Sequence, residues 1–358
     1  MNKRQFAKAL LFIAIFLFVS IWVTYILRTS GTIKENFVGF YAEPKDSIDV
    51  VFIGSSPVYP CFAAPQLFGD YGITSYPLSS NVQRPVAAKY LVKEALKTQQ
   101  PKLFVFELRQ FTATDASMTE NMAYTRGVTD NLKYSWNRIQ MINEMVADPL
   151  ERYTYYFDIF KYHSNWRTFI LPEQLTSIFY ERPNPLKGFY VNSNVIMGHG
   201  EDYSSISDQN PIPVEQEEIL IDLLNFLEDS KQNALFIVAP MSLSQEQRMM
   251  FNYIEPIVTK YGFSYLDFNE HYEKLGIDFN TDFYDGGSHT NALGSIKCTD
   301  FIGEYLLQNY DFVDHRQDAN FSSWKKAYEH WKKCTEEAVL IIQNKIANGN
   351  YDTDEGNQ

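Results

Sequence analysis

Two short stretches of this chain hold residue types that can do chemistry together. The first is Ile53-Gly54-Ser55-Ser56-Pro57, where a serine pair follows an apolar run. A serine at a strand-to-loop junction presents its hydroxyl at a sheet edge, with backbone N–H groups near enough to hold an oxyanion. The second is Asp282-Phe283-Tyr284-Asp285-Gly286-Gly287-Ser288-His289-Thr290-Asn291. A histidine with an acid a few residues upstream has the parts of a general base and its orienter. The acid accepts one imidazole N–H, fixes the tautomer and stabilises the imidazolium formed during attack. Each stretch alone is weak, since most Gly-Ser-Ser triplets are ordinary turns and a single histidine is more often a surface or capping residue. Together and in this order they form a pair that few structural explanations produce.

The rest of the chemistry-bearing inventory is thinner. His163, His199, His271, His315 and His330 stand in no partner motif. The three cysteines, Cys61, Cys298 and Cys334, are far apart and odd in number, with neither metal-ligand spacing nor a disulfide framework. No metal constellation, P-loop or dinucleotide fingerprint occurs, so neither metal nor cofactor is expected. The formal charge of −13 excludes a nucleic-acid role, because phosphate binding needs lysine and arginine clustered on one face.

The elements that must position the two stretches alternate between strand and helix. Asp49-Val50-Val51-Phe52-Ile53-Gly54 is a short apolar run of the kind found in buried parallel strands. Ser75-Tyr76-Pro77-Leu78 is a second strand, with Pro77 arguing against a central position. Leu103–Leu108, Ala234–Ala239 and Ser264–Phe268 read as three more. Helical spacing appears at Ala87–Lys97, Glu215–Leu227, Gln245–Lys260 and Ala292–Leu307. Strands separated by helices imply a parallel sheet covered on both faces, with functional groups in loops at the strands' carboxyl ends. Between the third and fourth strands, about 111–213 is an aromatic-rich insertion without clear alternation. It is expected to fold as helices over the active edge of the sheet. Trp324, Tyr328, Trp331, Ala338 and Ile342 form a helical stripe near the C-terminus, with Ser322 or Ser323 placed to cap it.

Before all of this lies Ala9–Leu27, an uncharged run of about 19 residues, close to the ~20 that a helix needs to cross a bilayer. Trp22 and Tyr25 sit toward its far end, where amphipathic rings favour the headgroup layer. The N-terminal flank carries Lys3, Arg4 and Lys8 and no acid. The positive-inside rule then puts the N-terminus in the cytoplasm and everything after Arg28 outside. Leu27-Arg28-Thr29-Ser30 is a poor cleavage site, so the helix reads as an uncleaved anchor rather than a signal peptide.

The chain also resembles a known family, the SGNH (GDSL-like) hydrolase superfamily. The likeness is to its membrane-tethered bacterial branch, which includes the D-alanine transfer protein of teichoic-acid modification and O-acetyltransferases of exported polysaccharides. It covers roughly 46–310. It rests on Val51-Phe52-Ile53-Gly54-Ser55-Ser56, on Pro101-Lys102-Leu103-Phe104-Val105-Phe106-Glu107, and on Asp285 through Gly294 with Lys297 and Thr299. The resemblance implies a three-layer α/β/α sandwich around a mostly parallel, flavodoxin-like sheet. It implies Ser56 as nucleophile, completed by Asp285 and His289. Two departures stand out. Asp285 lies four residues before His289, where the family's acid usually lies three before, and Asp282 is a second acid in the same loop. The family's oxyanion-hole glycine and asparagine have no plain counterpart. Ser79, Asn81 and the amide of Ser56 are the candidate donors. Glu107 and Arg109 should face the site from the third strand, where Arg109 either binds an anionic substrate group or pairs with Glu107.

The expected organisation is a cytoplasmic stretch 1–8, a transmembrane helix 9–28, a connector 29–45, and an α/β domain 46–310. An amphipathic helix 320–347 and a disordered tail 348–358 follow. The expected function is that of a membrane-anchored serine esterase or O-acyltransferase on the outer face of the cell membrane. Its expected partner is an acylated cell-wall or lipid-linked glycopolymer, with other envelope-modification membrane proteins as possible associates. The rival expectation is a non-catalytic glycan-binding or envelope-assembly protein that keeps the fold.

Overall fold

The computed structural model describes residues 2–168, 175, 177–349 and 352–353. Seven strands occur among them: β1 (Val50–Gly54), β2 (Ser75–Ser79), β3 (Leu103–Glu107), β4 (Ile196–Met197), β5 (Ala234–Val238), β6 (Ser264–Asp267) and β7 (Asp352–Thr353). Five of them make one sheet in the order β2-β1-β3-β5-β6, and every pairing in it is parallel. The strands are short and rich in Val, Ile and Phe, residues that suit a pleated surface buried on both sides.

Side chains alternate across the sheet with period two. Val51, Ile53, Phe104, Phe106, Phe236 and Val238 enter one apolar core, while Val50, Phe52, Leu103, Val105, Leu235 and Ile237 enter another. The first core is closed by the helices Ala88–Ala95, Val214–Asp229 and Gln245–Lys260, the second mainly by Ala64–Tyr71 and Ala292–Asn309. The fold is therefore mixed α/β, with helices on both faces of a parallel sheet. β2 lies at an edge, which explains how Pro77 is tolerated there.

The N-terminal helix α1 (Lys3–Leu27) is long and apolar enough to cross a membrane. Asn2 caps it, accepting from the Gln5 amide at 2.9 Å. The stretch expected to be a polar connector is instead a second helix, α2 (Thr32–Ala42), with Phe37, Val38 and Phe40 fully buried. Its apolar stripe is interrupted by Lys34, Asn36 and Gly39, polar or small residues that usually mark a surface or a break. Here they are buried for packing reasons. The Lys34 ammonium donates to the carbonyls of Tyr25 and Arg28, at 3.2 and 2.8 Å. A Cβ at Gly39 would meet the Tyr76 hydroxyl at 2.3 Å.

The insertion between β3 and β5 contains short helices, among them Met122–Thr129, Trp136–Met145, Pro149–Tyr156 and Ile159–Tyr162. The C-terminal helix Ser322–Ala347 buries Trp324, Trp331, Ala338 and Ile342. Neither Ser322 nor Ser323 caps it. A 3₁₀ turn, Ala319–Phe321, capped by Asp318, runs straight into it, and the Ser323 hydroxyl takes the Lys187 ammonium at 3.2 Å. Of the expected tail, 350–351 and 354–358 lie outside the described residues.

Candidate active site

All the candidate side chains lie at the carboxyl edge of the sheet, as parallel strands require. β1 ends at Gly54, where a Cβ would stand 2.6 Å from the Glu107 Cβ on the neighbouring strand. Glycine lets the chain turn there against β3. Ser55 and Ser56 then part company. Ser55 is buried, and its hydroxyl donates to the Glu107 carboxylate at 3.3 Å while accepting from the Gln110 amide at 3.4 Å. Ser56 is half-buried, and its Oγ lies 2.7 Å from His289 Nε2.

His289 comes from the loop before the helix Ala292–Asn309. Its Nδ1 hydrogen-bonds the Asp285 carboxylate, which also accepts the backbone amides of His289 at 2.8 Å and Ser288 at 3.1 Å. The fourth-residue spacing is absorbed by Gly286 and Gly287, at φ +76° and +116°, a region that only glycine enters freely. The Tyr284 amide donates to the His289 carbonyl at 3.1 Å, so the loop doubles back on itself. Asn291 fastens its far end, donating to the Thr281 carbonyl at 2.7 Å and accepting from the Leu293 amide at 3.0 Å.

Burial raises the Asp285 pKa, but the His289 ring and the two amides outweigh it and hold the carboxyl below its usual range. Asp282 has a different place. It is fully buried, paired with the Lys297 ammonium at 2.7 Å and bonded to the Asp278 amide at 2.8 Å and the Thr281 hydroxyl at 3.0 Å. It holds the loop's root and does not bond to the imidazole.

Chemically, a serine hydroxyl bonded to a neutral imidazole nitrogen can surrender its proton as it attacks a carbonyl. A carboxylate on the other nitrogen fixes the tautomer that makes this possible. The structure brings Ser56, His289 and Asp285 into that chain of contacts.

The remaining candidates are less tightly drawn in. Ser79 ends β2 in register with Gly54, and its hydroxyl is buried without a hydrogen-bond partner among the described residues. Asn81 is exposed, and its side-chain oxygen accepts from the Tyr59 hydroxyl at 2.8 Å, which leaves the amide nitrogen as its open donor. Glu107 is buried and bonded to Ser55 and the Arg109 amide, and burial raises its pKa. Arg109 makes no ion pair with Glu107 within 4.0 Å among the described residues; its Nε and one terminal nitrogen are inaccessible to solvent and unpartnered. Burial pulls its pKa down, against the opposing pull of Glu107 and Asp285. The structural ion bridge is therefore not formed, and a cation with spare donors remains within the field of the Asp285 carboxylate.

Three tyrosines that the sequence motifs did not single out also line the site. Tyr284 stacks on the His289 ring, with centroids 5.5 Å apart and planes 13° from parallel. Tyr59 and Tyr190 stand edge to face at 6.1 Å. Burial pushes Tyr59 up to about 12 and raises Tyr284 as well. An open pocket of about 500 Å³ is lined by these three rings with Asn81, Asn192 and Arg28–Lys34; Ser56, Asp285 and His289 do not line it but adjoin it through Tyr284, which stacks on the imidazole. The available signal was proximity: Tyr284 adjoins Asp285, and Tyr59 follows Ser56 by three residues. No family model matches the chain, and no curated protein matches it in sequence.

Proposed function

We propose that this chain is a membrane-anchored serine esterase or O-acyltransferase of SGNH type, with a three-layer, flavodoxin-like α/β/α domain held outside the cytoplasm. The observation that carries this is the Ser56 Oγ to His289 Nε2 contact of 2.7 Å with Asp285 on the opposite ring nitrogen. The strand order with β1 inside and β2 at the edge, and a core on each face, support the fold.

In the proposed reaction Ser56 attacks an acyl carbonyl, and His289 takes the hydroxyl proton. Backbone amides beside Ser56 and Ser79, with Asn81, face the developing oxyanion. The acyl-enzyme forms as the alcohol leaves with that proton. Water or a sugar hydroxyl then gives its proton to His289 and attacks the acyl carbonyl, and His289 returns the proton to Ser56 Oγ as the acyl–serine bond breaks. Arg109 supplies positive charge for an anionic part of the substrate. Tyrosines and asparagines along the pocket suit a hydroxyl-rich ligand, and Arg28–Lys34, where the anchor enters the domain, line it too. That favours an acylated cell-wall or lipid-linked glycopolymer.

The test is labelling of the purified full chain with a fluorophosphonate probe, followed by mass mapping of the adduct. The expected result is one adduct on Ser56. A chain that is folded by circular dichroism but takes no label would instead support the non-catalytic, glycan-binding alternative.

A further inference from the structure

From the way the domain packs on α1, we infer that the insertion carries an apolar collar that sits in the outer leaflet of the bilayer around the anchor. The inference rests on α1 being a membrane span, and goes beyond the proposed chemistry.

The first support is a matter of length. From Ser20 onward α1 is mostly covered by the domain, whereas Leu10 to Val19 are open. The free stretch Ala9–Val19 rises only about 17 Å at 1.5 Å per residue. A bilayer's hydrocarbon is ~30 Å thick. Starting from Phe6 adds only about 5 Å. The covered turns Ser20–Leu27 must therefore also lie within the membrane, and whatever packs on them goes in too.

The second support is what packs there. The helix Ile159–Tyr162 and the 3₁₀ turns His163–Thr168 and Ser177–Phe179 all contact α1. Phe179 meets Trp22 edge to face at 6.0 Å, and the Asn165 amide donates to the Leu27 carbonyl at 2.9 Å. These same elements turn large apolar side chains outward. Phe160 is 65% exposed, Trp166 63% and Phe179 64%, with Phe157 beside Phe160 at 6.4 Å. In water such a cluster is costly, whereas aromatic rings flanked by Lys161 and Arg167 suit the boundary between acyl chains and headgroups. The occupant of this surface is lipid, because the patch is continuous with the exposed apolar wall of α1.

One consequence concerns access. The exposed residues Thr29–Thr32, which line the pocket and follow the membrane turns directly, then lie at headgroup level. A lipid-linked chain could enter the pocket without leaving the membrane surface.

The experiment uses the full chain with Cys334→Ser, so that the remaining native thiols, Cys61 and Cys298, are buried. Single cysteines replace Phe12, Phe160, Trp166 or Val313, all exposed positions, and each is labelled with an environment-sensitive fluorophore. Val313 lies by the amino edge of the sheet, next to Asp314 and His315, and serves as the aqueous control. The proteins are placed in nanodiscs of phosphatidylcholine and phosphatidylglycerol carrying a lipid spin-labelled near the headgroup. Labels at 12, 160 and 166 should shift to the blue and lose most of their emission to the spin label, while 313 does neither. If 160 and 166 behave like 313 while 12 is quenched, the collar is overturned and a protein partner must cover the patch. If 12 is also unquenched, the anchor itself fails, and the collar with it.

Discussion

The serine–histidine loop and the junction around Arg28 are both built from charged side chains, yet they are finished differently. At the junction, Arg28 Nε pairs with Asp158 at 2.9 Å, and Nη1 donates to the Leu132 carbonyl at 3.0 Å. The rings of Tyr25, Tyr134 and Tyr180 surround the guanidinium at 4.9, 5.3 and 5.0 Å. Arg138 adds a second cation to Asp158 at 3.5 Å and spends its own donors on the Thr129 and Tyr155 carbonyls. Arg28, Arg138 and Asp158 are all buried. At the site, by contrast, Ser56 and His289 are only half-buried, and the serine hydroxyl's one hydrogen-bond partner among the described residues is the imidazole. A buried network fixes geometry, even with one Arg28 terminal nitrogen left without a hydrogen-bond partner among the described residues, whereas a half-buried one can exchange a proton with something that arrives.

Five substitutions and one pH series test that contrast, and the largest effect is expected at the nucleophile. Ser56→Ala should cut the rate of probe labelling by up to about 10⁶, with the circular dichroism spectrum unchanged. Ser55→Ala should keep labelling, since its hydroxyl serves Glu107; label lost there and kept in Ser56→Ala would reverse the assignment.

The two acids of the loop come next. Asp285→Asn should slow labelling by roughly 10⁴ through the wrong imidazole tautomer. Asp282→Asn should instead lower the unfolding midpoint, because it removes the partner of Lys297 at the loop's root. Equal kinetic losses in the two variants would mean that Asp282, too, acts on the imidazole.

The junction should respond in stability alone. Asp158→Asn strands Arg28 as a buried cation and should cost about 3–5 kcal/mol, the usual penalty for breaking a buried pair. Labelling of the protein that remains folded should stay at the wild-type rate. A slowed rate with an unchanged unfolding midpoint would show that the junction reaches into the chemistry.

The smallest effect is a pH dependence. The folded-state pKa of Asp285 is depressed, so its contribution to stability is present above the ordinary value of ~3.9 and fades as pH falls through the folded value. The unfolding gap between wild type and Asp285→Asn, on the order of 1–3 kcal/mol, should therefore hold from pH 8 to 5. It should close only below about pH 4. A gap that closes already at pH 6 would mean that the carboxyl is raised rather than lowered.

Much was decided by the sequence alone, because the physics involved is local. A run of apolar residues of bilayer length can be read without knowing any contact, and α1 covers it. Short Val/Ile/Phe runs separated by amphipathic stretches specify parallel strands under helices. The Gly54-Ser55-Ser56 and Asp285–His289 stretches could be marked because each stands at a boundary between such elements; the resemblance to a known hydrolase motif singled out Ser56 and Asp285 within them, and two glycines between acid and histidine permit the chain to fold back. What lay beyond the sequence depended on contacts across long separations. The helix α2 was hidden because its polar and small residues are buried by partners elsewhere in the fold, notably Tyr76 against Gly39. The fate of Arg109 could not be read, since Glu107 spends its carboxylate on Ser55 and a backbone amide instead. That the Ser56 hydroxyl, and not that of Ser55, meets the imidazole is a contact across 233 residues. Packing decides this, because neighbouring residues leaving a strand point in different directions and only the assembled sheet edge selects between them.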